Sequence, residues 1–331
     1  MKLYKATGDK FFKEVECENN PPESFVKLKL SLICPTLSDV AIFDGKADVA
    51  YPRVPCKMAT AVVSEDRDEY GLKLGGKVLL NPYIDADGDE ENAYAVSALY
   101  GVDEDGFLRD FISLPPDNVV PFPENVREEE AVFADIVAVA LKTIKTLKVK
   151  KGDYVAVIGG SLLAIVTAEL ALYYQAIPIL ITSDSRYLKL AEKAGIYYTV
   201  DESKENVIMR VKSITGGRMA EHTVIHTLPN VTPNYLYNIT AHGGTSVIAG
   251  MHTSFAPRME CNISEIAGKN LTVSGVTSAR EEFVAAINLL AQKIINFDGF
   301  IDKIVPLKDA GNLFAELSED PTVYVMPAIR V

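Results

Sequence analysis

Histidine is missing from the first part of this chain. The 331 residues contain four histidines, and all four lie between residues 222 and 252. Tryptophan is absent. Because imidazole is the commonest metal ligand among protein side chains, residues 1–221 can offer a metal ion little more than thiolates and carboxylates. The sequence therefore excludes a histidine-containing metal centre from this part of the chain.

Positive charge is also scarce. The chain has 33 lysines and arginines against 45 aspartates and glutamates, which gives a formal net charge of -12. Nucleic acid phosphates and anionic lipids bind clustered lysine and arginine side chains. We therefore expect a protein that binds neither nucleic acid nor membrane, and whose ligand is a small molecule or a protein partner.

Cysteines are few and long apolar runs are absent. The cysteines are far apart and show no paired spacing: Cys17, Cys34, Cys56 and Cys261. Such a pattern is typical of reduced thiols. The first twenty residues lack the apolar core of a signal peptide, and no run approaches the roughly 20 apolar residues of a membrane helix. The sequence thus predicts a cytoplasmic protein.

The hydrophobic pattern changes twice along the chain. Segments such as FVKLKLSLI, ATAVVSE and GKVLLNPYI predict short strands in the first part. From Glu128 onward, beginning with REEEAVFADIVAVALKTIKTL, helical and strand patterns alternate, and this pattern ends near Gly275. The alternation predicts an α/β domain with a doubly wound parallel sheet and helices on both faces.

The clearest unit of this α/β region runs from Asp153 to Asp184. Its sequence is DYVAVIGGSLLAIVTAELALYYQAIPILITSD. A buried strand leads through two glycines into an apolar helix, and a second buried strand follows. The segment therefore predicts a βαβ unit.

The turn of this unit reads Gly159-Gly160-Ser161-Leu162-Leu163-Ala164. Glycines between a strand and a helix allow a pyrophosphate to approach the helix N-terminus. In the pattern G-x-G-x-x-G/A the first and third positions fit, whereas Ser161 stands at the second glycine. Its side chain either crowds the phosphates or donates a hydrogen bond to them. The alternative interpretation is a tight turn without a ligand.

The end of the second strand bears on the choice of cofactor. An acidic residue there binds the ribose 2′-hydroxyl of NAD, whereas a small residue with a nearby arginine suits the 2′-phosphate of NADP. If Thr182 ends the strand, then Thr182, Ser183 and Arg186 favour NADP. If Asp184 reaches back to the ribose, NAD is favoured. The sequence gives NADP a slight preference, and a solvated loop is the third interpretation.

Four segments taken together resemble the medium-chain alcohol dehydrogenase family. They are VKKGDYVAVIGG, LKLAEKAGIYYTVD, HGGTSVIAG and EDGFLRDFISLPPDNVVPFPENV. The resemblance implies a Rossmann nucleotide-binding domain at residues 128–275 and a GroES-like β-rich catalytic domain formed by residues 1–127 and 276–331. It also implies a homodimer or homotetramer, and it extends the cofactor site to His226, Ala249 and Gly250. For His226 a structural role is the alternative.

Zinc-dependent members of this family carry C-G-[TS]-D, then G-H-E, then an acidic or cysteine ligand on a helix. The resemblance places Thr36 at the first ligand position, or Cys34 if two residues are inserted. Lys57 stands at the histidine position, and Asp135 stands at the acidic one. Where many relatives carry four cysteines for a second, structural zinc, this chain has DADGDEENAYAVSAL. The sequence thus predicts a protein without zinc at either site.

Five residues form the predicted catalytic site: Thr36, Ser38, Asp39, Lys57 and Asp135. Lys57 is expected to form an ion pair with Asp135. Its ammonium either stabilises the charge on a substrate oxygen or only neutralises Asp135. Ser38 and Asp39 correspond to the proton relay and the cleft wall of relatives, and a helix N-cap is the alternative. Cys56 is either a reactive thiol or an inert buried one.

The function that follows is a zinc-independent NAD(P)-dependent oxidoreductase. Its substrate is expected to be a small alcohol, a carbonyl compound or an activated alkene, and hydride transfer would be direct. The alternative is a non-catalytic relative that binds a nucleotide or a protein partner. A third, weaker possibility is a lyase or isomerase that keeps its nucleotide bound.

Overall fold

The computed structural model describes residues 1–18, 21–84, 98–226, 235–250, 254 and 261–331. The chain divides into two compact units, residues 1–135 with 298–331 and residues 136–297. The predicted boundaries at residues 128 and 276 lie earlier in the chain than these. The second boundary moves because residues 280–291 pack within the second unit, where Lys142 pairs with Glu281 at 2.6 Å and Lys145 pairs with Glu282 at 2.5 Å.

The strands in the described part of the chain are β1 (Lys2–Ala6), β2 (Phe12–Glu16), β3 (Val26–Ile33), β4 (Ala59–Val63), β5 (Lys77–Leu80), β6 (Tyr83–Ile84), β7 (Ala98–Leu99), β8 (Phe111–Leu114), β9 (Val119–Pro121), β10 (Tyr154–Ile158), β11 (Ile177–Thr182), β12 (Tyr198–Asp201), β13 (Ala220–His226), β14 (Thr240–Ala249), β15 (Thr272–Val276), β16 (Lys303–Pro306) and β17 (Pro327–Arg330).

The α-helices in the same part are α1 (Leu37–Phe43), α2 (Glu128–Ala131), α3 (Ala134–Leu147), α4 (Leu162–Tyr173), α5 (Ser185–Lys193), α6 (Val207–Ile214), α7 (Tyr235–Asn238), α8 (Ile263–Gly268), α9 (Phe283–Ala291) and α10 (Ala310–Glu319). None of the helices described is long and apolar enough to cross a membrane. The segment from residue 127 to 147, which has apolar residues at helical spacing, forms two helices, α2 and α3, which are separated by Val132 and Phe133.

The second unit is built on a parallel sheet of six described strands. Their order is β12-β11-β10-β13-β14-β15, which is the doubly wound order of a Rossmann fold. The middle residues of β10 and β11 are fully buried, as expected for strands that helices cover on both faces. The predicted α/β fold and the βαβ unit of β10, α4 and β11 are confirmed.

The first unit is β-rich, as predicted. Its main sheet has the order β16-β17-β3-β4-β5-β9, with β8 paired to β3. The pairs are antiparallel except for β16 with β17. The last strand, β17, belongs to this unit and pairs with β3. Its Arg330 forms ion pairs with Glu128 at 2.7 Å and with Glu129 at 2.9 Å. The two ion pairs fix the end of the chain to α2.

One carboxyl group is buried in the second unit without a counter-ion. Glu169 of α4 is 6% exposed, and its Oε1 accepts a hydrogen bond from the Asn296 backbone N–H at 2.9 Å. Its Oε2 is buried without a hydrogen-bond partner in the described structure. Burial raises the pKa of this carboxyl from 4.5 to about 8. Glu169 is thus expected to be protonated at neutral pH.

Replacement of Glu169 by glutamine should flatten the pH dependence of stability. Because the folded-state pKa is raised, the neutral carboxyl contributes stability that is fully present below about pH 4.5 and is lost as the pH rises through about 8. The difference in the free energy of unfolding between Glu169→Gln and the unsubstituted protein should therefore rise by roughly 3–5 kcal/mol, in favour of the variant, from pH 5 to pH 9. Urea unfolding at both values measures this, with the exposed Glu192→Gln as control. A constant difference would contradict it.

Candidate active site

Several of the predicted cofactor residues lie at one edge of the parallel sheet. Strands β10, β11, β13 and β14 are parallel neighbours, so their carboxyl ends share an edge. The strands end there at Ile158, Thr182, His226 and Ala249. In open α/β sheets, ligands bind at this edge, where the strand order reverses. The structure thus brings the predicted positions into the region where a nucleotide would bind.

The glycines of the turn are required by close packing. Gly159 has a φ of +138°, and a Cβ there would lie 2.9 Å from the His226 carbonyl oxygen. A Cβ on Gly160 would lie 2.8 Å from Thr182 Oγ1 and 3.1 Å from the Asp184 Cβ. Both glycines therefore let the turn pass directly beside the ends of β13 and β11.

The first turn of α4 offers free amides. Ser161 is the N-cap, and its hydroxyl accepts a hydrogen bond from the Ala164 N–H at 3.2 Å. Within the described chain, the N–H groups of Leu162 and Leu163 have no acceptor. A helix N-terminus with free amides suits the charge of a pyrophosphate. This part of the site therefore fits a dinucleotide, and Ser161 as N-cap keeps its hydroxyl proton free to donate.

The residues proposed to recognise the ribose are engaged with one another. Thr182 is buried, and its hydroxyl accepts a hydrogen bond from the Asp184 N–H at 3.1 Å. Arg186 Nε lies 3.0 Å from Asp184 Oδ1, and the guanidinium contacts both carboxylate oxygens. Ser183 is exposed. Because Asp184 neutralises Arg186, this geometry favours neither NADP nor NAD.

His226 is held inside the second unit. The residue is 3% exposed, with Nε2 at 3.1 Å from Thr167 Oγ1 and Nδ1 at 3.4 Å from the Ala249 carbonyl oxygen. Burial lowers the pKa of this imidazole from 6.5 to about 4, so the ring is neutral at pH 7. Gly250 follows, and a Cβ there would lie 2.6 Å from Leu163. The geometry suits a structural histidine beside the turn.

In the first unit, Lys57 and Asp135 form an ion pair. Lys57 Nζ lies 3.0 Å from Asp135 Oδ2. The lysine side chain is 24% exposed and the aspartate side chain is 6% exposed. Within the described residues, Asp135 is the only hydrogen-bond partner of this ammonium. Two of its three N–H donors therefore remain for a ligand.

The charge state of Lys57 decides what it can do. Burial alone would lower the pKa of its ammonium, but the charges of Asp135 and Asp39 and the hydrogen bond to Asp135 outweigh burial and raise it. Lys57 is thus a cation throughout the neutral range. It can donate hydrogen bonds and stabilise negative charge, but it cannot serve as a general base.

Thr36, Ser38 and Asp39 meet at the start of α1. Asp39 Oδ2 accepts hydrogen bonds from the Thr36 backbone N–H and the Thr36 hydroxyl, each at 2.7 Å. The hydroxyls of Thr36 and Ser38 are also 2.7 Å apart. These contacts form a capping box. Asp39 Oδ1 accepts from the Cys56 N–H at 2.8 Å, and burial raises the Asp39 pKa. The cluster therefore fixes the loop that carries Lys57.

The two thiols of this region are buried. Cys34 and Cys56 have no exposed surface, and burial raises the pKa of each thiol. A reactive cysteine is a thiolate at neutral pH, so neither thiol suits nucleophilic chemistry. Cys56 contributes through its backbone, which has a φ of +74°.

Sequence reasoning missed Tyr83. Its hydroxyl donates a hydrogen bond to Asp135 Oδ1 at 2.7 Å, and the residue is 1% exposed. The two residues are 52 positions apart, and a buried tyrosine at a strand start carries no sign of its partner.

The residues at the positions that correspond to the zinc ligands of relatives do not fit a zinc ion. Three protein ligands that carry a lone pair are needed, whereas Lys57 presents a cation to Asp135. Within the described ranges, no group of three or more histidine, cysteine, aspartate or glutamate side chains is placed to hold a metal. The segment that stands in place of the second zinc site lies mostly outside the described residues, which stop at residue 84 and resume at residue 98.

Comparison with known proteins agrees with this fold. A profile of the zinc-binding dehydrogenase family matches residues 163–292. An uncharacterized zinc-type alcohol dehydrogenase-like protein of Haemophilus influenzae is 26% identical over 297 residues, which cover 87% of this chain and 86% of that protein. The L-galactonate-5-dehydrogenase of Escherichia coli K12 is 24% identical over 307 residues, which cover 90% and 86%.

Solved structures share the fold. A protein of Sinorhizobium meliloti 1021, crystallised with NADP, aligns with a TM-score of 0.86 at 19% identity, over 100% of this chain and 99% of that one. The sheet order, the glycine turn and the sequence likeness all lead to the same assignment. The chain is similar to members of the medium-chain dehydrogenase/reductase family.

Proposed function

We propose that this protein is a zinc-independent NAD(P)-dependent oxidoreductase that interconverts a small alcohol and its carbonyl compound. Reduction of an activated alkene is the related possibility. The observation that carries the proposal is the Lys57 ammonium, which is ionised, partly exposed and bonded to a single carboxylate. The resemblance assigns Lys57 to a metal-ligand position of zinc-type relatives, and two of its N–H donors have no partner among the described residues.

Support for a nicotinamide cofactor comes from the second unit. The free amides of Leu162 and Leu163 at the start of α4 suit a pyrophosphate. The glycines at positions 159 and 160 let the turn pack closely against the ends of β13 and β11. The similar structure from Sinorhizobium meliloti is bound to NADP, and the similar protein of Escherichia coli is an L-galactonate-5-dehydrogenase. When bound, the nicotinamide would supply the hydride acceptor and donor.

Lys57 would stabilise charge on the substrate oxygen. In alcohol oxidation the hydroxyl proton leaves to solvent, the carbon gives up a hydride, and the C–O bond becomes a carbonyl. Negative charge on the oxygen rises before the hydride departs, and a fixed ammonium donor lowers the energy of that state. In reduction the same N–H polarises the carbonyl, and the oxygen ends with a proton from solvent. Because its pKa is raised, Lys57 keeps its own proton.

A non-catalytic nucleotide-binding or partner-binding protein is the second candidate. The ion pair between Asp184 and Arg186 favours this candidate, because the two charged groups expected to contact the ribose bind one another instead. Under this alternative, Lys57 only neutralises the buried Asp135 carboxylate. The experiments below separate the two.

The Lys57→Met variant tests the catalytic role. We expect kcat to fall by about 100- to 1,000-fold, which is the usual effect of removing a donor to a developing oxyanion, while the affinity for reduced cofactor stays unchanged. Turnover on a panel of small alcohols and aldehydes measures the first quantity, and cofactor fluorescence the second.

Lys46→Met is the matched control, since Lys46 also pairs with an aspartate but is 69% exposed. Its turnover should match that of the unsubstituted protein. Equal turnover of Lys57→Met and Lys46→Met would reject the catalytic role of Lys57 and favour its structural one.

Metal content tests zinc independence directly. Elemental mass spectrometry of the purified protein should find far less than one zinc per chain, because the Lys57 ammonium cannot serve as a zinc ligand. Turnover should also survive dialysis against a strong chelator. One tightly held zinc whose removal abolishes turnover would overturn this part of the proposal.

Cofactor choice should respond to the Asp184–Arg186 pair. Asp184→Asn removes the charge that neutralises Arg186 and keeps a good N-cap for α5. We expect this variant to bind NADPH at least several-fold more tightly relative to NADH, because Asp184 no longer neutralises the guanidinium, which can then pair with the 2′-phosphate. Arg186→Ala should lower the NADPH preference. Fluorescence titration of both cofactors measures the ratio, and a ratio that neither variant changes would reject this role.

Assembly and cellular location stay predictions. The resemblance implies a homodimer or homotetramer formed by edge-to-edge extension of the Rossmann sheet, and β15 stands at one edge of the described sheet. A cytoplasmic location rests on the sequence alone.

A further inference from the structure

The hydroxyl of the buried Tyr83 donates a hydrogen bond to the Asp135 carboxylate. Asp135 therefore has one oxygen on Tyr83 and the other on Lys57, at 2.7 and 3.0 Å. The three side chains form a continuous series, phenol to carboxylate to ammonium. A carboxylate with each oxygen engaged by a different donor has little freedom to rotate.

The backbone of Tyr83 is itself fixed by two buried amides. Its N–H donates to Asn81 Oδ1 at 3.1 Å, and its carbonyl oxygen accepts from Asn118 Nδ2 at 2.8 Å. Asn118 also donates to the Asn81 carbonyl oxygen at 2.8 Å. The two asparagines are 5% and 6% exposed. Buried polar groups of this kind are costly unless they are satisfied, and here they hold the main chain on both sides of one tyrosine.

The loop of Lys57 is fixed as firmly. The Cys56 N–H donates to Asp39, and the Cys56 carbonyl oxygen accepts from the Phe107 N–H at 2.8 Å. A Cβ on Gly106 would lie 2.3 Å from that carbonyl oxygen. With both ends of the series anchored, the direction in which Lys57 points depends on the carboxylate between them.

We propose that Tyr83 is a positioning residue for the oxidoreductase reaction, which holds the Asp135 carboxylate so that Lys57 gives it one N–H and offers the others to the substrate oxygen. This inference rests on the proposed function of Lys57. Without the phenol, Asp135 Oδ1 loses its donor, and the carboxylate can rotate until both of its oxygens accept hydrogen bonds from Lys57. The ammonium would then have fewer N–H groups for the substrate oxygen, although its charge would be unchanged.

The test compares side chains at position 83 that keep or lose the donor. Tyr83→Phe removes the hydroxyl, and kcat should fall about 10- to 100-fold, the range expected for loss of a hydrogen bond to a charged group. KM for the cofactor should stay within about twofold, since the change is in orientation rather than binding. Tyr51→Phe is the matched control, because that phenol donates to the Ile42 carbonyl oxygen at 2.9 Å in the same unit, and its kcat should not change.

Incorporation of p-aminophenylalanine at position 83 separates positioning from other roles. The aniline keeps an N–H donor in the same place but is not a phenol acid. Positioning predicts that it recovers most of the lost kcat. A folded p-aminophenylalanine protein as slow as Tyr83→Phe would overturn the inference, and so would a Tyr83→Phe protein as fast as Tyr51→Phe.

The outcome for Lys57 keeps the two hypotheses distinct. If Lys57→Met is slow and Tyr83→Phe is normal, the proposed function stands and the role of Tyr83 is rejected. If Lys57→Met is normal, the proposed function of Lys57 fails irrespective of Tyr83. Urea unfolding of each variant at pH 7 shows whether a slow protein is a folded one.

Discussion

The buried carboxylate of Asp135 is the constraint around which the first unit is arranged. An ionised carboxylate that is 5% exposed is unfavourable by several kcal/mol unless it is paired and hydrogen-bonded. This chain satisfies one oxygen with an ammonium and the other with a phenol. Both partners come from loops and short strands that buried amides and glycines hold in place. The ion pair is thus a product of the whole unit, and α3 only supplies the aspartate.

Much of the fold follows from local pattern. The βαβ unit was predictable because β10 and β11 are short continuous apolar runs and because glycines mark the turn between the first of them and α4. The break between α2 and α3 was not, since Val132 and Phe133 are apolar residues that continue a helical pattern. Both are buried. Tertiary packing rather than local propensity determines the chain direction there.

The candidate site was predictable only in part. Lys57 and Asp135 were found through the positions of family ligands, and the structure places them 3.0 Å apart. Tyr83 could not be found this way, because no pattern in its surroundings indicates a partner 52 residues away. The Asp184–Arg186 pair shows the opposite case. Both residues were identified, but each was assigned a ligand, whereas in the structure they bind one another.

The capping box at α1 has a consequence for how this site can change. The resemblance places either Thr36 or, with two residues inserted, Cys34 at the first ligand position of zinc-dependent relatives, and in the structure Thr36 starts a helix together with Asp39. A cysteine at position 36 would weaken that cap by about 1 kcal/mol, and a histidine at position 57 would leave Asp135 without its cation. Each step toward a metal site is unfavourable when it is taken alone. A change toward the zinc-ligand pattern of relatives would therefore need several substitutions together.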